Sequence, residues 1–255
     1  MARDGIGTIT KFAGPRMLPF FVTVALYFSL IGQTQRRTVV STVLKCLPIV
    51  SLWAFVVLTG FLFKRSHRYK HLILLGLVIS CLGDLLLNYD LFEAGMGGFA
   101  VAQIFYISAF GFRPLRAWIG IPLFCFGVAA VALMFENLPT IIKICLPVYG
   151  VLLVTMCWRS LARINCPKNV LRTLCGIGSI LFVISDSIIA FDKFYNPIEN
   201  AQTAIMVTYY VAQFAIALSV LESTETESKK SQTANKLSSS VPKPQNGMKK
   251  SRKVV

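Results

Sequence analysis

Two aspartates lie where an acidic side chain is costly. Asp84 and Asp186 each fall inside an apolar stretch, where burying a carboxyl in hydrocarbon costs about 2.5–3.5 kcal/mol on insertion scales. Each should therefore face the protein interior and have a reason to be there. Asp84 is five residues before Tyr89, and Asp186 is five before Phe191. At 1.5 Å per residue, both carboxyls lie roughly 7–8 Å below the end of their segment. Lys45 enters the same layer from the start of a second segment. Gln103 and Tyr106 do so from a third, with Tyr209, Tyr210 and Gln213 a little deeper on the last. Asn88 stands one turn beyond Asp84. The chemistry open to such a cluster is acid–base. Burial favours a neutral carboxyl and a nearby ammonium favours an ionised one. Two carboxyls in unlike surroundings can thus divide into a protonated acid and an ionised base. A lone aspartate would be explained by interhelical hydrogen bonding, worth about 0.6–2 kcal/mol. Two at equal depth beside a lysine point to catalysis.

The elements that must position them are membrane helices. Of 255 residues, 55% are hydrophobic and 15% charged, against about 45–50% and about 25% in soluble domains. The last 34 residues hold 11 of the 37 charges, which leaves about 12% charge in the rest, too little to coat a soluble surface. The expected fold is all-α: a polytopic bundle of eight transmembrane helices, over residues 17–31, 43–63, 72–89, 97–112, 117–135, 141–158, 173–191 and 201–221. No small-residue cleavage site follows the first segment, where Gly32, Gln33, Thr34 and Gln35 stand, so it reads as a span rather than a signal peptide.

The formal net charge of +15 would suggest nucleic acid in a soluble protein. Here the basic residues occur in runs between apolar segments and set orientation instead. With eight spans, 21 Lys and Arg fall on one side and five on the other; without the C-terminal tail it is 13 against five. Both termini are then cytoplasmic. Residues 1–16 form a cytoplasmic segment, 17–221 the membrane domain and 222–255 a disordered basic tail. The final Arg252-Lys253-Val254-Val255 is similar to a degenerate dilysine retrieval signal of the endoplasmic reticulum. The seven cysteines include no CxxC, so neither a disulfide framework nor a zinc site is expected. His67 and His71 share a basic loop and read as solvated. Tyr149, Trp53 and Trp158 read as packing or interface residues. Pro48 and Pro147 should kink their helices and can open a cavity. No metal or cofactor is called for.

The two halves resemble each other. Lys45-Cys46-Leu47-Pro48 in segment 2 is matched by Lys143-Ile144-Cys145-Leu146-Pro147 in segment 6. Gly83-Asp84 with Tyr89, Asp90 and Phe92 is matched by Ser185-Asp186 with Phe191, Asp192 and Phe194, and Ala102-Gln103 by Ala212-Gln213. Four spans per half give both halves the same orientation, so a 4+4 duplication about a pseudo-twofold along the membrane normal is expected, with a site at its interface.

The Lys45 run, Gly83-Asp84, Phe105-Tyr106 with Ala109-Phe110-Gly111, Ser185-Asp186, and Tyr209-Tyr210-Val211-Ala212-Gln213 resemble the YhhN-type lysoplasmalogenase family, its animal members most closely, over residues 19–221. The resemblance implies an eight-helix hydrolase of the endoplasmic reticulum membrane. Such an enzyme cleaves the vinyl ether bond of lysoplasmalogens to a fatty aldehyde and glycerophosphocholine or glycerophosphoethanolamine. Its substrate is a lysophospholipid drawn from the bilayer, and a homodimer is compatible with the chain. Family members often carry His where Gln103 stands, which moves the weight of catalysis onto the aspartates. A vinyl ether hydrolyses by protonation of its outer alkene carbon to an oxocarbenium ion, followed by water addition. Paired carboxyls do comparable work in glycosidases. Asp84 and Asp186 are the expected catalytic pair, in either order. Lys45, Asn88, Gln103, Tyr106, Tyr209, Tyr210 and Gln213 are the expected residues for orienting substrate and water. A non-enzymatic lipid or ion transporter is the competing class, because intramembrane Asp and Lys, helix prolines and a repeat also suit alternating access. A receptor fits less well, since eight spans with a cytoplasmic N-terminus depart from the seven-span plan.

Overall fold

The computed structural model describes residues 14–31, 38–59, 67–164 and 169–222. The expectations for the N-terminal segment before residue 14, for the tail beyond residue 222 and for the loop cations Arg36, Arg37, Lys64, Arg65 and Lys168 lie outside the described residues. Among the described residues eight α-helices follow in order: α1 (Gly14–Leu30), α2 (Val39–Leu58), α3 (Arg68–Asn88), α4 (Phe92–Phe110), α5 (Ala117–Met134), α6 (Thr140–Ala162), α7 (Val170–Phe194) and α8 (Ala201–Leu218). A single 3-10 turn (Phe135–Asn137) follows α5. They take up the eight apolar segments in order. Six of them (α2, α3, α5, α6, α7 and α8) are long and apolar enough to cross a membrane. α1 is shorter, at 17 residues. α4 is diluted by Glu93, Gln103 and three glycines. The protein is a multi-pass membrane protein.

Local chemistry sets the helix ends. Thr38 and Ser41 form a reciprocal capping box at the start of α2, with N–H to Oγ distances of 3.0 and 3.2 Å. Asn169 caps α7 through the Arg172 N–H. α4 stops at Gly111, whose φ of +70° suits glycine. Pro48 and Pro147 lie inside α2 and α6, and both helices continue through them, as membrane helices allow when neighbours satisfy the freed carbonyls.

Lipid tails supply no hydrophobic drive between helices, so close packing rests on small residues. α3 meets α4 through Gly83 and Gly98, where a Cβ on Gly98 would stand 3.2 Å from the Gly83 Cα. α7 meets α8 at Gly178, where a Cβ would lie 2.9 Å from the Ala212 carbonyl oxygen. α8 is the most enclosed helix and α5 the most peripheral, with 61% and 11% of their apolar windows buried. The outer surface carries apolar side chains such as Trp118, Val128 and Ile144, as hydrocarbon surroundings require. Arg159 of α6 is enclosed and donates to the carbonyls of Gly111, Pro114 and Leu115. It thereby fixes the α4–α5 connection at the end of the bundle away from Asp84.

The histidines depart from expectation. His67 is buried at the start of α3, and His71 is half-buried within that helix. α3 begins four residues earlier than the apolar run, because Arg68–His71 continue the helix into its packed end.

Candidate active site

Asp84 is held from two directions. Its Oδ2 accepts the Tyr209 hydroxyl at 2.6 Å, and its Oδ1 stands 3.6 Å from the Lys45 ammonium. The carboxylate is thus clamped between α2 and α8. It is almost fully buried, where an unpaired charge would be costly and a hydrogen-bonded pair is sustainable. Lys45 is positioned in turn. Pro48 has no N–H to give to the turn before it, and the Tyr210 hydroxyl donates to the nearby Lys45 carbonyl at 2.8 Å.

Asp186 has different company. Its Oδ2 accepts the hydroxyl of Tyr149 from α6, and among the described residues no cation pairs with it. The two aspartates line one cavity of about 290 Å³ near the ends of α3 and α7. Lys45, Asn88 and Tyr209 share that wall. Asn88 is oriented by Thr42, to which its amide donates at 2.5 Å. Asp192 and Lys193 extend the wall outward along α7. The Lys193 ammonium lies 4.6 Å from the centre of the Phe92 ring. The cavity also has an apolar side, with Leu87, Phe99 and Ile189 among its contributors.

Five of the nine residues expected at the site line this cavity, and four do not. Gln103, Tyr106, Tyr210 and Gln213 are fully enclosed behind it. Tyr106 is drawn aside because Gly76 leaves room for its ring: a Cβ there would stand 2.2 Å from the ring edge. Its hydroxyl then donates to Gln213 Oε1 at 2.8 Å, joining α4 to α8. Gln103 lies beside Tyr149, with no hydrogen bond of good geometry at either amide atom. These four support the wall rather than form it.

Tyr149 extends the sequence reading most directly: it packs in the core as expected, and its hydroxyl is also the hydrogen-bond partner of Asp186. Depth was the available signal. Tyr149 is nine residues into α6 and Asp186 eight from the end of α7, so both lie roughly 12–13 Å from the same end of the bundle. Tyr27 and Gln202 were also missed. They line the cavity and hydrogen-bond to each other at 3.2 Å.

The sequence model of the YhhN family matches residues 40–220, which holds every element of this site except α1. The chain belongs to the YhhN family. Among its relatives is bovine lysoplasmalogenase TMEM86A, 37% identical over 86% of this chain and 93% of its own length. Human lysoplasmalogenase TMEM86A is equally similar over the same shares. Human lysoplasmalogenase TMEM86B is 32% identical over 80% of this chain and 86% of its own length. No solved structure matches the chain.

Proposed function

We propose that this YhhN-family protein is a lysoplasmalogenase, a membrane hydrolase that cleaves the vinyl ether bond of lysoplasmalogens to a fatty aldehyde and a glycerophosphoethanolamine or glycerophosphocholine. One observation carries the reading: two intramembrane carboxyls from different parts of the chain share one cavity but have unlike partners. The name carried by its close relatives gives the substrate class.

The unlike partners divide the work. Lys45 supplies the counter-charge for an ionised Asp84, and Tyr209 holds that carboxylate in place. Among the described residues Asp186 has a phenol and no paired cation, which suits it to be the carboxylic acid. Asp186 gives its proton to the outer alkene carbon. The electrons of the double bond form the new C–H bond, and the ether oxygen shares the resulting positive charge. The Asp84 carboxylate faces that oxocarbenium ion and stabilises it. Water adds to the inner carbon and passes a proton back to the Asp186 carboxylate. The hemiacetal then breaks its bond to the glycerol oxygen, which leaves as an alcohol on receiving that proton, while the hemiacetal hydroxyl becomes the aldehyde carbonyl and returns its proton to Asp186. The products are an aldehyde and a glycerophospho-compound, at the cost of one water. General acid catalysis of this kind contributes about 10²–10⁴-fold. Lys193, at the outer wall, meets the lipid phosphate. Every residue in this scheme comes from one chain, so a second copy is not needed for the chemistry.

The excess of Lys and Arg in the loops at the opposite end of the bundle supports a cavity in the luminal half with both termini in the cytoplasm. With the basic C-terminal residues, this supports residence in the endoplasmic reticulum. The span count is proposed as eight, with α1 and α4 completing two four-helix halves. The packing supports a duplication: α3 with α4 matches α7 with α8, and α4 against α6 matches α8 against α2.

The test is direct. Purified protein in lipid nanodiscs is given a vinyl ether lysophospholipid, its saturated ether analogue and its ester analogue. The expected result is equimolar aldehyde and glycerophospho-product from the first substrate only. Transfer of intact lipid between leaflets without aldehyde would favour a transporter instead.

A further inference from the structure

The Asp186 carboxyl borders a second space. Between α5, α6 and α7 lies a narrow recess, lined by Asp186, Tyr149, Ser187 and Ala190 among others. Gly127, Val131, Gly150 and Val154 border both this recess and a groove of about 460 Å³ between α5 and α6. Apart from Glu136, the residues lining that groove are apolar. Asp186 and its Tyr149 partner thus stand at the junction of a polar cavity and an apolar groove.

We propose that the groove between α5 and α6 holds the hydrocarbon chain of a single-chain ether lipid, and that Gly127 and Gly150 set the chain length it accepts. The proposal deepens the lysoplasmalogenase reading and rests on it for the identity of the polar end. Three observations select this occupant. A lysolipid has one polar end and one chain, and the site offers one polar cavity and one apolar groove meeting at a carboxyl. The bond to be cleaved lies where the chain joins the glycerol, which is where Asp186 stands. The size also fits: at about 30 Å³ per methylene, close to the volume share of a water molecule, the groove accommodates roughly fifteen chain carbons. The groove exists because two positions lack side chains. A Cβ on Gly150 would meet nothing within 4 Å, and one on Gly127 would touch only Val154, at 3.1 Å.

The experiment uses the full-length protein in nanodiscs and a saturated 1-O-alkyl lysophosphatidylethanolamine bearing a diazirine at the chain terminus. A saturated ether has no alkene carbon to protonate, so the probe reports binding without turnover. After irradiation, the label is expected within residues 124–135 or 147–154. An unlabelled ether lysolipid should compete it away and a diacyl phospholipid should not; competition by the diacyl lipid would mean a bulk bilayer chain and overturn the proposal. Gly150→Phe should cut labelling at least tenfold. Gly97→Phe, at an α4 position where a Cβ also meets nothing within 4 Å, should not. Label confined to other helices, or undiminished in Gly150→Phe, would overturn the proposal. In turnover, Gly150→Phe should lower the ratio of long-chain to short-chain vinyl ether cleavage about tenfold, and an unchanged ratio would contradict the assignment. If the wild type labels as expected but releases no aldehyde, the groove stands and the hydrolase reading falls.

Discussion

Tyr149 and Tyr209 do the same thing to two different carboxyls, and the difference lies in what else each carboxyl touches. Tyr209 shares Asp84 with Lys45, whereas Tyr149 holds Asp186 with no cation paired to it among the described residues. If Asp186 is the acid, the Tyr149 phenol aims its proton-bearing oxygen at the substrate. A hydrogen bond to a charged or charging group is worth about 1.5–3 kcal/mol. Tyr149→Phe should therefore lower kcat by roughly 10–100-fold with KM nearly unchanged. Carbon protonation also makes an isotopic prediction. In D2O the released aldehyde, trapped at once as a hydrazone, should carry one deuterium beside the carbonyl, and mass spectrometry reads this directly. Lys193 is exposed at the outer wall, so its contact with phosphate is worth about 1 kcal/mol. Lys193→Ala should raise KM about fivefold and leave kcat alone. The aspartates and Lys45 were legible in the sequence because a charge in an apolar helix is expensive and needs a reason. Tyr149 was not, because a tyrosine in such a helix is cheap and has many uses. Gln103, Tyr106 and Gln213 were expected at the site from depth alone, and the structure turns them behind the cavity wall. Which face of a helix turns to a cavity depends on neighbours such as Gly76, and spacing along one helix does not contain them.

At the scale of elements, the site depends on helices that approach closely. α7 carries Asp186 and α8 carries Tyr209, and the two meet where Gly178 faces the Ala212 carbonyl. A valine there would push backbone from backbone, and overpacking of this kind costs typically about 1–3 kcal/mol. Gly178→Val should lower the thermal midpoint in a fluorescence unfolding assay. Gly97→Ala should hold it or raise it, since its Cβ would meet no neighbour and alanine favours a helix by about 1 kcal/mol. The eight helices were legible because apolar runs separated by charged loops leave few alternatives. The groove between α5 and α6 was not, because a void made by two glycines has no signature distinct from ordinary helix packing. The start of α3 was misread for a related reason. Its polar first turn, Arg68–His71, looks like loop until the neighbouring helices enclose it.

At the scale of the molecule, the account gives an orientation and a path. In the proposed scheme the lipid's polar end enters a luminal-side cavity, its chain lies between α5 and α6, and the two meet at Asp186. Orientation can be tested separately. An N-glycosylation acceptor inserted between α7 and α8 should be modified in microsomes, and one at the C-terminus or between α4 and α5 should not. The reverse pattern would put the cavity on the cytoplasmic side. The repeated Asp, Lys and Pro motifs lead to the expectation of a two-half design, and the helix pairings are compatible with it. The halves are not equivalent in their chemistry. The lysine of the first half pairs with its aspartate, whereas Lys143 of the second lies 5.3 Å from the centre of the Phe135 ring, and among the described residues no cation pairs with Asp186. That asymmetry is what the proposed scheme uses to divide two similar carboxyls into an acid and an anion. The most direct measurement is aldehyde release from a vinyl ether lysophospholipid by purified Asp84→Asn and Asp186→Asn, each matched to the wild type in thermal midpoint. The account predicts that both lose at least a hundredfold in kcat, and near-wild-type release by either one would contradict it.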